Sequence, residues 1–209
     1  FAYVALDGGK RFVVLDGKEG KKYDWVNELT HPTFSPNSQH FAYYVTYERN
    51  KGFVVLDGKE GKKYDEINEF TLTFSPDSQH FAYVALDGGK RFVVLDGKGG
   101  ERYDDIYKLT FNSNSQHLAY IAKDGNKEFV VLDGKEGKKY DWVDEFAHFT
   151  FSPNSQHLAY EAEEGNKIFI VLDGKEGKRY DDIYELTFSP NSQHLAYVAR
   201  DKKEKKLIL

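Results

Sequence analysis

The chain has 209 residues, a formal net charge of −5, 40% hydrophobic residues and 16% aromatic ones. That apolar content suffices for a packed core and excludes global disorder, while the acidic balance argues against general nucleic-acid or anionic-membrane binding. There is no Cys, so disulfides, thiol catalysis and thiolate metal sites are excluded, and no apolar run reaches the ~18 residues of a membrane-spanning helix.

The tripeptide Phe-Ala-Tyr or Leu-Ala-Tyr begins at Phe1, Phe41, Phe81, Leu118, Leu158 and Leu195, at spacings of 40, 40, 37, 40 and 37 residues. The chain therefore reads as one repeat array over residues 1–209, with units 1–40, 41–80, 81–117, 118–157 and 158–194 and a partial unit 195–209. Within a unit, Leu29 to Ser35 forms a short apolar and hydroxyl-rich strand A. Ser35-Pro36-Asn37-Ser38 is a turn, because Pro presets φ and Asn and Ser bond back to the backbone. Phe41 to Thr46 is strand B, Tyr47 to Gly52 a polar loop, and Phe53-Val-Val-Leu56 strand C. Asp57-Gly58 opens a tight connection, and Lys62 to Ile67 is expected as strand D. Lysines such as Lys62 and Lys63 suit an exposed edge strand, which places the order A to D from inside outward.

Four short antiparallel strands in about 40 residues make one propeller blade. Phe34-Ser-Pro-Asn-Ser-Gln-His-Phe-Ala-Tyr43, with matching stretches from Phe74, Phe111, Phe151 and Phe188, resembles the repeat signature of TolB-like, or WD40-like, β-propellers. Ser38 and its counterparts replace the usual turn Gly, and Leu56-Asp57 stands where WD40 repeats carry Trp-Asp. The resemblance implies an all-β propeller of four-stranded antiparallel blades, a bacterial scaffold protein, and a periplasmic or extracellular setting. Six B–C hairpins but five A and five D strands are expected, so six blades with incomplete ones at the chain ends is the leading arrangement and five the alternative. The open seam leaves either a monomer or self-association.

Length varies only in the B–C and D–A connections, while Phe of strand C to Tyr of strand D is always 11 residues, as in Phe53 to Tyr64. Variable loops on one face of a rigid scaffold point to a binding face. The D–A segments hold the candidate partner-binding residues Trp25, Glu28, Glu66, Asp105, Tyr107, Trp142, Asp182 and Tyr184. The plainer reading is that Trp25 and Trp142 fill space between blades and that the acidic groups are solvated.

The recurrent His40, His80, His117, His157 and His194 are expected to cap turns, since equivalent histidines spread over a ring cannot form one triad. No catalytic set, metal site or cofactor is expected; the Asp-Gly loops lack alternating oxygen ligands for calcium. The functional expectation is a non-enzymatic protein- or peptide-binding scaffold. The alternatives are a multivalent carbohydrate-binding propeller, with Trp25 and Trp142 as stacking platforms, and a gating domain of a larger hydrolase.

Overall fold

The structure, a computed structural model, describes residues 1–24, 32–47, 51–146, 148–202 and 204–209. Two compact units divide it, Phe1–Arg102 and Tyr103–Leu209. Every sheet is antiparallel and follows chain order.

The first unit holds three sheets. The first comprises β1 (Ala2–Asp7), β2 (Lys10–Leu15) and β3 (Lys18–Glu19); the second comprises β4 (Thr33–Phe34), β5 (Phe41–Tyr47), β6 (Lys51–Leu56) and β7 (Lys59–Glu60). The third comprises β8 (Glu66–Phe74), β9 (Phe81–Asp87), β10 (Lys90–Leu95) and β11 (Lys98–Gly99). In the second unit, β12 (Asp105–Phe111), β13 (Leu118–Asp124), β14 (Lys127–Leu132) and β15 (Lys135–Glu136) form one sheet. β16 (Trp142–Val143), β17 (Phe149–Phe151), β18 (Leu158–Glu164), β19 (Lys167–Leu172) and β20 (Lys175–Glu176) form the next, with β16 and β17 both pairing with β18. β21 (Asp182–Phe188), β22 (Leu195–Asp201) and β23 (Glu204–Ile208) form the last. The expected strands B and C are present, and each runs into the expected polar loop Tyr47 to Gly52, as β5 ends at Tyr47 and β6 begins at Lys51.

In the middle sheet of each unit the B and C strands are apolar on both faces because each face packs against another sheet of that unit. In the first unit, Tyr44 and Val54 of one sheet meet Ile67, Tyr83 and Phe92 of the next in one buried cluster. In the second, Ile121 and Val130 meet Val143, Tyr160 and Phe169 in the same way.

Strands A and D differ from expectation. The outer strand is only two residues long, as in β7, followed by an isolated bridge from Tyr64 to Gly52. Gly61 donates its N–H to the Val54 carbonyl at 2.8 Å, closing the turn of the chain after β7. Lys62 and Lys63 lie between these pairings, their ammonium groups 5.3 Å from the Tyr64 ring and 5.9 Å from the Phe53 ring. Glu66, expected at the end of strand D, begins the next sheet. The D–A connection is thus tight, and the variable length is taken up inside strand A as a bulge. Asn68 pairs with Val84 and Thr73 with Ala82, so four residues face Tyr83 alone. Tyr107 pairs with Ile121 and Thr110 with Ala119, so there the bulge is two residues.

Phe1–Lys18 and Phe81–Lys98 are identical in sequence. Phe81 is 5% exposed beside β8, whereas Phe1 is 79% exposed, because β1 has no strand A beside it among the described residues.

Candidate functional site

Two ends of each sheet carry different chemistry. At one end lie the Ser-Pro-Asn and Asp-Gly turns. Asp57 has φ 50 and Gly58 φ 77, the left-handed pair a two-residue I′ turn requires. Asp57 Oδ1 accepts the Phe41 N–H at 2.9 Å while Oδ2 lies 2.8 Å from His40 Nδ1. His80–Asp96, His117–Asp133 and His157–Asp173 repeat the pair. Each of these histidines pairs with an Asp of its own sheet rather than with another histidine. A groove of about 400 Å³ opens at this end in the second unit, lined by His117, Glu136, Gln156, His157, Tyr160 and Asp173. Its lining comes from segments present in every complete repeat.

The opposite end carries the B–C hairpins and the first residues of strand A, and here the copies differ. Asp65, Asp104 and Asp141, each following the bridge Tyr, accept N–H groups from Gly88, Gly125 and Gly165 of the next hairpin at 2.9, 2.7 and 2.8 Å. This fixes the hairpins and leaves the residues just after each Asp to vary.

In the first unit, Glu66 opens β8 and lies 3.6 Å from Arg91. Trp25 and Glu28 lie outside the described residues. In the second unit, Asp105, Tyr107, Trp142, Asp182 and Tyr184 all sit in strands rather than loops, a correction to their expected D–A loop placement. Trp142 is half-buried and pairs in register with Glu163.

Asp105 and Tyr107 share one neighbourhood with Glu128 and Glu145. Burial, then the Asp105 charge, pushes the Tyr107 phenol up to about 12. Burial, then the Glu128, Asp105 and Asp144 charges, holds the Glu145 carboxyl above its ordinary value. Lys108, at φ 52 in the bulge of β12, donates to the Phe146 carbonyl at 3.3 Å. Phe146 itself is 76% exposed, three residues after Val143 of β16. Asp182 lies apart from this group: burial raises its carboxyl, but the Tyr184 hydroxyl and the Arg200 guanidinium, 3.0 Å away, outweigh burial and leave it below the ordinary value.

Phe146, Glu145 and Glu128 were not singled out from the sequence, nor was a buried trio one strand further on. Glu161, 5% exposed, stands in β18 where the other copies have Val4, Tyr44, Val84, Ile121 and Val198. His148 Nδ1 lies 2.7 Å from Glu161 Oε2 and 3.1 Å from Asp144 Oδ2. Burial, then the Asp144, Asp182 and Glu163 charges, pushes the Glu161 carboxyl up to about 8. The signal available in the sequence was the substitution itself, one acidic residue in an otherwise apolar column.

No protein-family profile matches the chain, and no curated protein does. Solved structures do. A crystal structure of a eukaryotic initiation factor shares 12% identity at a TM-score of 0.58, covering 95% of this chain and 56% of its own. The β-propeller domain of the Trilobed protease from Pyrococcus furiosus shares 12% identity at a TM-score of 0.50, covering 100% of this chain and 71% of its own. TolB from Acinetobacter baumannii shares 14% identity at a TM-score of 0.45, and the chain spans about half of its length, 52%. These are likenesses of fold: six antiparallel sheets of three to five strands, in a β-propeller.

Proposed function

We propose that the chain is a non-enzymatic scaffold that binds a basic protein or peptide segment along the strand-A side of its sheets, from the bulges to the B–C hairpin end. The observation that carries this reading is Phe146, 76% exposed beside Glu145 in the neighbourhood of Glu128 and Asp105. An exposed aromatic ring among carboxylates offers an apolar anchor ringed by charges complementary to Lys or Arg. The first unit supports it with Phe70, 87% exposed in the bulge of β8 next to Glu69. The opposite end bears turns that every copy needs for folding, which leaves less freedom for recognition.

The test is binding of fluorescent peptides that combine Lys or Arg with one large apolar residue. Phe146→Ala and Glu145→Lys are each expected to weaken binding by about 10-fold or more, as removal of an interface anchor does. Added salt should weaken it further. Lys59→Glu and Lys135→Glu, in the Asp-Gly connections, should leave it intact. Binding that ignores Phe146 and fails with Lys135→Glu would overturn the assignment of the face. Glycan binding abolished by Trp142→Ala, with no peptide binding, would favour the carbohydrate reading instead.

A further inference from the structure

The register around β18 holds an anomaly. Val143 pairs with Ala162 and Phe149 with Tyr160, so the described residues 144–146 and 148 fall opposite a single residue, Glu161. The segment does not drift free of the sheet. Asp144 N–H donates to the Glu161 carbonyl at 3.1 Å, and Glu161 N–H donates to the His148 carbonyl at 2.8 Å. Asp144 also folds back on its own segment, Oδ1 accepting from Phe146 N–H at 2.8 Å and Oδ2 from His148 N–H at 2.9 Å. The two ends of the bulge are thereby held on either side of the Glu161 side chain.

Three ligand-type atoms converge there, His148 Nδ1, Asp144 Oδ2 and Glu161 Oε2, all within 4.8 Å of one another. The side chains are 15%, 8% and 6% exposed. Glu161 Oε2 is buried and receives no hydrogen bond, although His148 Nδ1 is 2.7 Å away. The two atoms are close but not aligned for N–H to O bonding. A buried carboxylate oxygen left in that state is costly unless something positive meets it. Three donors on one ion, at bonds of ~2.1 Å, sit on the order of 3.4 Å apart in tetrahedral geometry. The His148 Nδ1 distances to Asp144 and Glu161, 3.1 and 2.7 Å, lie close to that spacing.

We propose that Asp144, His148 and Glu161 bind one divalent transition-metal cation. One imidazole nitrogen with two carboxylates suits Zn²⁺ or Mn²⁺ over thiolate-seeking Cu⁺ or all-oxygen Ca²⁺. With three protein ligands so little exposed, the cation acts as a clasp that ties both ends of the bulge to β18, with a water completing its coordination. The trio is the sole such group among the described residues.

The experiment is titration of the full chain with Zn²⁺ against a competing indicator, alongside thermal melting with and without the metal. Two variants separate binding from folding. Glu161→Val installs the residue that Val84 and Val198 supply in equivalent positions, so the fold is retained. His148→Gln removes the nitrogen ligand. One equivalent of Zn²⁺ is expected to bind and to raise the melting temperature of the native chain. Both variants should lose affinity by at least ~10-fold, the lower end of what disturbing even an outer-shell partner costs. Circular dichroism should show the same strand content for Glu161→Val as for the native chain. Absence of a stoichiometric site in the native chain, or equal affinity in Glu161→Val, would overturn the proposal, since the remaining His–Asp pairs at the turns are untouched by that change.

Discussion

Asp57 shows how much a single residue does in this chain. It holds φ 50, bonds the Phe41 N–H through one carboxylate oxygen and orients His40 through the other. Replacing it by Ala removes both bonds and leaves a β-carbon in the left-handed region, a loss of about 1–3 kcal/mol. Asn at this position tolerates that conformation and keeps the acceptor, so Asp57→Asn should recover most of it; urea denaturation of the two variants checks the order. The sequence marked Asp-Gly as a turn and His as a capping group, but not that they meet, because 17 residues separate His40 from Asp57. It also marked Ser in place of the usual turn Gly. Ser78, at φ 66, uses its hydroxyl to accept the Asn37 N–H of the neighbouring sheet at 3.1 Å. Ser155 and Ser192 do the same for Asn114 and Asn154. The strain of a non-glycine residue is offset by a bond that glycine could not make. Tyrosines carry a further consequence. Burial holds the Tyr44 and Tyr197 phenols up to about 12, against an ordinary value of 10.0. The folded chain then keeps protons that the unfolded chain releases from about pH 10 upward, so stability is full below that and falls as pH rises through the folded values. Ultraviolet titration should show phenolate appearing late and together with loss of strand signal. Tyrosines that all ionise near their ordinary value in a still-folded chain would contradict this.

Strands B and C were legible because Val, Phe and Tyr runs between Gly and Asp leave little choice of structure. Of the expected strand A, residues 29–31 lie outside the described residues and β4 falls within the rest, while strand D was given residues that belong to the next sheet. Lys62-Lys63-Tyr64-Asp65-Glu66-Ile67 has the alternation of a strand, but Tyr64 bridges to Gly52 while Ile67 pairs with Ala85. One stretch thus serves two sheets, and periodicity cannot say where the change falls. The bulges were read as loops for a related reason: Glu69 is charged and Phe70 is exposed, as in a loop, yet ladder pairs resume on both sides of them. Close approach explains a glycine elsewhere in the second sheet. A β-carbon on Gly52 would lie 2.2 Å from Tyr44 Cε2 and 3.1 Å from the Val45 carbonyl oxygen. Tyr44 is itself buried, so Gly52→Ala should cost about 1–3 kcal/mol through overpacking. A Tyr44→Phe background would not rescue it, whereas Tyr44→Ala would; a double-mutant cycle by denaturation measures the difference.

At the scale of the molecule, near-identity of the copies is a folding hazard as well as a plan. Val13–Asp24 recurs unchanged at Val54 and Val130. Strands with the same sequence compete for the same partners, so refolding should lose yield and form intermolecularly exchanged species as concentration rises. Size-exclusion profiles after refolding across a concentration series check this; yield independent of concentration would speak against it. The propeller fold and the constancy of the scaffold were legible because repetition makes them visible many times over. The acidic end around Asp105 and Tyr107 was visible as a place of variation. Glu161 with His148 was not, since a site occurring once is hidden by a reading that looks for what recurs.

The duplicated Phe1–Lys18 and Phe81–Lys98 have an experimental consequence. Intrinsic amide exchange depends on local sequence, so these segments share one reference rate, and any difference in protection belongs to their neighbours. Internal fragments such as Val4–Leu15 and Val84–Leu95 also have equal mass. Hydrogen–deuterium exchange read by mass spectrometry would therefore record both in one isotopic envelope. That envelope should split in two during labelling, the slower half coming from β9 and β10 and the faster from β1 and β2, and the gap between the halves measures what a flanking strand contributes.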